Sequence, residues 1–138
     1  MTVRAGAISV GFEVPAFSRL ITREMAMAHG APLVNFHTDL AAARRMGFAD
    51  LVIAGPMFVC FFSEMFTRFY GERWITGGDL DFKLVKPVLA NETITARAVV
   101  TAMTPRDASM RVVMDIWCQR KDDGAKTAVG TAGVLLEP

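Results

Sequence analysis

Residues 54–71, AGPMFVCFFSEMFTRFYG, constrain the fold more than any other stretch of the chain. In a helix, the polar side chains Ser63, Glu64, Thr67 and Arg68 fall at relative angles of roughly 0°, 100°, 40° and 140°, a single narrow stripe. Every other position from Met57 to Tyr70 is apolar. A helix dry around more than half its girth needs something to wrap it. At ~1.5 Å per residue it is roughly 24 Å long, the span of a strand of about seven residues. A curved antiparallel sheet folded around one helix satisfies both demands. An ordinary amphipathic core helix is the simpler alternative for this run alone.

The remaining 120 positions are consistent with one domain, since the chain has 138 residues and no linker, repeat or low-complexity tract. The reading is a single domain over residues 1–138, with 1–13 a loosely placed leader. Fifteen basic and fourteen acidic residues leave a net charge of +1, with no polybasic run or interleaved aromatic–basic patch. Nucleic acid is therefore not expected as a partner. With 52% hydrophobic residues, some apolar surface should be buried against another subunit. The longest apolar run, Met57–Phe62, is too short to span a bilayer, and MTVRAGAISVGFEVPAF lacks a signal-peptide core. Cys60 and Cys118 read as two reduced, buried thiols of a cytoplasmic protein.

Val14–Ile21 is predicted as a first strand. Thr22 caps a brief helix over Arg23–Ala28 that stops at Gly30, and Ala31–Phe36 with Pro32 reads as an irregular loop. Thr38 or Asp39 caps a second helix through LAAARRM, ended by Gly47. Pro56 takes the tolerated first-turn position of the apolar helix, and Gly71 closes it. Gly77-Gly78 marks a turn, after which the period changes to two. Leu80, Phe82 and Leu84 alternate with Asp79, Asp81 and Lys83 until Pro87. Thr93–Met103 and Met110–Gln119 follow as strands, separated by a turn at Thr104-Pro105-Arg106-Asp107. Asp122-Asp123-Gly124 turns into a last strand near Thr127–Leu136, where Gly130 and Gly133 suggest bending.

Few side chains offer chemistry. His29 and His37 are the only imidazoles, and His37 stands in an irregular loop directly before a helix, a common setting for a catalytic group. His37, Asp39 and His29 lack a recognised metal-ligand spacing, so no metal is expected. There is no G-x-S-x-G motif, Ser63 lies within the dry helix, and Cys60 reads as a packed core residue. Gly77-Gly78 precedes a strand rather than a helix, so it is not a phosphate cradle. The start of the apolar helix is different: helix N-termini leave backbone N–H groups unpaired and partly positive. Gly55 lets a substrate approach the backbone there, and its N–H can stabilise an oxyanion.

The order of these elements resembles the hot-dog fold, and their motifs resemble its MaoC-like branch, the R-specific enoyl-CoA hydratases and related dehydratases. Three stretches carry the likeness: Asn35-Phe36-His37-Thr38-Asp39 with Ala43 and Gly47; Val52-Ile53-Ala54-Gly55; and Trp74 through Gly78 with Leu80, Phe82 and Lys86-Pro87-Val88. Thr93-Ile94-Thr95 matches the strand that follows the family's proline. The resemblance implies an α+β fold in which about five antiparallel strands wrap a central helix. It implies a histidine handling a proton of water, at His37, and a glycine N–H binding a thioester carbonyl, at Gly55, with Asn35 and Ala54 beside them in substrate binding.

The implied activity is reversible hydration or dehydration of an enoyl or 3-hydroxyacyl thioester, carried by CoA or acyl carrier protein, with no further cofactor. The implied partner is a second hot-dog chain, identical or not. Three positions depart from the family. Pro32 stands where its aspartate is usually found, and Val34 where its asparagine is, with Asn35 one place later. Ala54 also replaces a histidine often found before the glycine. Glu24, His29 and Asp39 are candidates for the aspartate's work. The missing aspartate supports a second reading, a non-catalytic subunit of a heterodimeric hydratase. A hot-dog thioesterase is a third, disfavoured because no carboxylate is evidently placed near the helix's substrate end.

Overall fold

A computed structural model describes residues 3–30 and 33–138. After a single 3₁₀ turn at Ala5–Ala7 come strand β1 (Glu13–Leu20), helices α1 (Arg23–Gly30), α2 (Leu40–Arg45), α3 (Gly55–Tyr70) and α4 (Glu72–Gly77), and strands β2 (Asp79–Leu84), β3 (Thr93–Arg106), β4 (Ser109–Arg120) and β5 (Lys126–Leu136). The strands form one antiparallel sheet in the order β1-β3-β4-β5-β2. This curved five-stranded sheet with α3 against it is the α+β hot-dog architecture.

Alternation along the strands builds the seat for the helix. Ile94, Ala96, Ala98 and Val100 of β3 are buried on the same side as Val112, Met114, Ile116 and Cys118 of β4. Small residues on β3 and β5 leave room there for Phe58, Phe62, Phe66 and Tyr70 of α3, all at most 1% exposed. Truncating one such phenylalanine to alanine removes about 3–5 kcal/mol. The hydroxyl of Tyr70 donates to the sulfur of Met114 at 3.1 Å, so even the polar tip of this ring is satisfied.

Several expectations need correction. Cys60 is exposed on α3 beside Val59, which is 44% exposed, so it is not a packed core thiol. At ~100° per residue Cys60 falls inside the polar stripe, between Thr67 and Glu64, and Val59 lies at its edge. A short helix not anticipated from the sequence, α4, folds back so that Trp74 packs on Phe66 with ring centroids 4.6 Å apart. Strand β3 runs on through Pro105, and the turn is tighter than expected: Arg106 pairs with Ser109, and Asp107 takes φ +52°. The glycines of β5 serve close approach. A Cβ at Gly130 would meet the Asp81 carbonyl oxygen at 2.1 Å, so β2 packs where only glycine fits.

The leader is not loose from residue 3 onward. The Ala5 N–H donates to the Glu137 carbonyl at 2.8 Å, and Gly11 and Phe12 exchange backbone bonds with Val100. Both helix caps formed as expected: Thr22 Oγ1 accepts from the Met25 N–H, and the Asp39 carboxylate accepts from the Ala41 N–H, each at 3.1 Å. Helix α1 continues two residues past Ala28, to Gly30. Among the described residues, no helix is long and apolar enough to cross a membrane.

Candidate active site

Residues 33–39, directly before α2, form a compact loop whose geometry is set by Asn35. Its side-chain oxygen accepts from the His37 N–H at 2.8 Å, a local turn that asparagine makes readily. The Asn35 carbonyl accepts from the N–H groups of Thr38 and Asp39. The loop is then sewn to the segment before α3: the Val52 N–H donates to the Phe36 carbonyl at 3.1 Å, and His37 Nδ1 lies 2.6 Å from the Val52 carbonyl oxygen. On its other side that segment is held by Val88, whose carbonyl accepts from the Ile53 N–H.

The Val52 contact assigns the imidazole tautomer. A carbonyl oxygen only accepts, so Nδ1 carries the hydrogen, and in the neutral ring Nε2 holds the lone pair. The ring is braced by Phe36, with centroids 4.1 Å apart. Two neighbours fix its orientation.

Gly55 is the first residue of α3, and Ala54 is its N-cap in extended conformation. A helix leaves its first N–H groups unpaired, and among the described residues the Gly55 N–H has no acceptor. Glycine also suits a helical residue that precedes Pro56, because a Cβ there would crowd the proline ring.

His37 and Gly55 open onto one cavity of about 470 Å³. Its walls are apolar: Phe36, Phe48, Phe58, Val52, Ile53 and Val88, with Leu84, Val85 and Pro87 toward the rim. Among the described residues, the one charged side chain lining it is Lys86. Asn35 and Ala54 do not line it. Asn35 shapes the histidine loop, and Ala54 is buried at the helix cap.

The candidates for the aspartate's place are elsewhere. The Asp39 carboxylate caps α2, and Glu24 is exposed on the first turn of α1. His29 lines a separate, smaller hollow between α1 and α3 with Cys60 and Glu64. Pro32 lies outside the described residues. Among the described residues no carboxylate lines the His37 cavity, and none of their His, Cys, Asp and Glu side chains are grouped to hold a metal ion. Lys86 and the phenylalanine walls escaped the sequence reading as site residues. Lys86-Pro87-Val88 carried the resemblance, but nothing in its composition says that it borders a cavity.

No protein-family model matches the chain, and no curated protein does. Solved structures do match. A MaoC-like dehydratase from Rhodospirillum rubrum superposes with a TM-score of 0.82 at 17% identity, over 98% of this chain and 97% of its own. The R-hydratase PhaJ1 from Pseudomonas aeruginosa gives 0.81 at 17% identity, over 99% and 86%. A chain of the ChsH1–ChsH2 complex from Mycobacterium tuberculosis gives 0.71 at 17% identity, over 94% and 97%. The protein therefore has the hot-dog fold of the MaoC-like dehydratases and R-hydratases.

Proposed function

We propose that this protein is a hydro-lyase that reversibly adds water across the double bond of an enoyl thioester. The observation that carries the reading is the convergence of a tautomer-fixed histidine and an unpartnered helix-start N–H on one apolar cavity. The apolar walls take the acyl chain. The thioester carbonyl lies against Gly55, whose N–H and the helix's partial positive charge stabilise negative charge growing on oxygen. That polarisation makes the β-carbon electrophilic.

His37 Nε2 accepts a proton from water as the water oxygen bonds to the β-carbon. The electron pair of the double bond moves through the α-carbon onto the carbonyl oxygen. The enolate then collapses, and the α-carbon takes back the proton held by His37. Water's two hydrogens end on the new hydroxyl and the α-carbon, and the histidine returns to its starting tautomer. Dehydration is the same path reversed. A single acid–base group closes the cycle, which suits a cavity with no carboxylate.

Incubating the purified protein with crotonyl-CoA and following loss of the enoyl absorbance tests this directly. His37→Ala should lower the rate about 10²-fold or more, with the thermal transition checked because the variant also loses the Val52 contact. A wild-type protein inactive on enoyl thioesters overturns the reading, and an undiminished His37→Ala rate removes the histidine from it.

The absent carboxylate supports a second reading, a subunit that is active only beside a catalytic hot-dog partner; the ChsH1–ChsH2 neighbour is a two-chain complex. An active homogeneous preparation rules this out.

A further inference from the structure

Resting on the thioester reading, we infer that Lys86 recognises the phosphate of the substrate's carrier arm and so holds the acyl group in register with His37 and Gly55. Among the described residues, Lys86 is the one charged side chain that lines the cavity. It is exposed, and no carboxylate among the described residues lies within ion-pair distance of it. Most of the chain's other cations near an acidic side chain are already neutralised: Arg19 and Arg68 by Glu64, Arg23 by Asp50, Arg111 by Asp79, and Arg120 by Glu92 and Asp123.

The base of its stem is fixed. The Val85 and Lys86 N–H groups both donate to the Thr127 carbonyl, at 2.8 and 3.3 Å, and Pro87 follows directly. The backbone is therefore anchored to β5 while the ammonium can swing across the mouth. Beside it Leu84 and Val85 are 50% and 46% exposed, an apolar rim next to one unpaired positive charge. A ligand that fits has an apolar end for the phenylalanine walls, a polar neutral stretch, and an anion outside. Acyl phosphopantetheine has that order of groups, and free CoA and a carrier protein share it.

Direct binding separates this from turnover. Titration calorimetry at low salt would compare CoA, 4′-phosphopantetheine and pantetheine on the wild type, Lys86→Gln and Lys86→Glu. The side chain is exposed, so neither variant should disturb folding. Lys86→Gln should weaken CoA binding about fivefold and Lys86→Glu about tenfold or more, with the difference shrinking at high salt. Pantetheine should bind all three proteins alike. The same loss for 4′-phosphopantetheine assigns the contact to the phosphate that CoA shares with carrier proteins; a loss confined to CoA assigns it to the nucleotide's phosphates. Equal CoA binding by wild type and both variants overturns the inference, as does a wild type that binds CoA no tighter than pantetheine. A protein that binds CoA through Lys86 yet hydrates nothing defeats the hydro-lyase reading alone.

Discussion

At the scale of single residues, Gly55 does two things that other side chains would oppose. It accepts helical geometry directly before a proline, and it presents a bare backbone to the cavity. A Cβ added here would sit 3.4 Å from Leu84 Cδ1, the tip of a half-exposed side chain that can move. Gly55→Ala should therefore fold, with a melting temperature only a few degrees lower. Hydration of an enoyl thioester should still slow about tenfold, because a near-attack geometry tolerates little displacement. Unchanged kinetics would show that no substrate carbonyl approaches this backbone.

The two cysteines make the opposite comparison. Cys118 is fully buried between β3 and β5, and burial pushes its thiol up to about 12. It is shielded both by pKa and by packing. Cys60 is exposed on α3. A thiol reagent at pH 8 should modify one equivalent in the native protein and a second only on denaturation, with peptide mapping placing the first on Cys60. Helical spacing carried this distinction, since Cys60 falls at about 60°, between Thr67 and Glu64 on the polar stripe, whereas Cys118 shares the buried face of β4 with Met114 and Ile116.

At the scale of elements, Asp50 ties three segments together. Its carboxylate accepts from the Arg23 side chain of α1, from the Asn91 side chain before β3, and from the Leu51 N–H at 2.7 Å. The hydrogen bond from Arg23, followed by those from Leu51 and Asn91, holds the Asp50 carboxyl below the usual carboxylate range. A carboxyl depressed by folding adds stability that is fully present above its unfolded value near 4 and is lost as pH falls through the folded value. Asp50→Asn should lower the melting temperature at pH 7 by a few degrees. The gap to wild type should narrow as the pH falls below about 4, read by circular dichroism. A constant gap would assign the stabilisation to shape rather than charge.

Elements with a clear period were legible in the sequence. Alternation marked β2 as a strand, although its Leu80 and Phe82 are only half-buried and Leu84 is exposed, and Thr22, Asp39 and Gly71 set helix ends where capping chemistry places them. Helix α4 was not legible, because Glu72–Gly77 is too short to show a period and is stabilised by Trp74 packing on a distant ring. In the candidate site, His37 and Gly55 were each visible, yet eighteen positions separate them in the chain. Their meeting depends on the Val52 carbonyl and the Val88 loop, long-range contacts that no local pattern encodes.

At the scale of the whole molecule, one chain leaves large apolar side chains in solvent. Val34 is 82% exposed, Leu33 66% and Met46 61%, and Leu84 and Val85 border the cavity mouth. A second hot-dog chain would cover such surface, as expected from the high apolar content. Sedimentation equilibrium at micromolar concentration should give twice the mass of the chain. A monomer of full hydratase activity would show that neither the apolar surface nor the site requires a partner.

The strand order also orders the assembly of the molecule in time. Strands β3, β4 and β5 are consecutive in the chain and adjacent in the sheet, joined by short turns, whereas β1 and β2 flank them through pairings such as Phe17 with Ala96 and Phe82 with Gly130. Local hairpins close within microseconds, and distant pairings wait on larger loop-closure entropy. The meander can thus stand as a template before the first half of the chain arrives. Every wall of the cavity comes from outside that meander, from residues 36–58 and 84–88. The part of the chain that lines the candidate site is thus the late-docking, more easily opened one, while the meander keeps the fold intact.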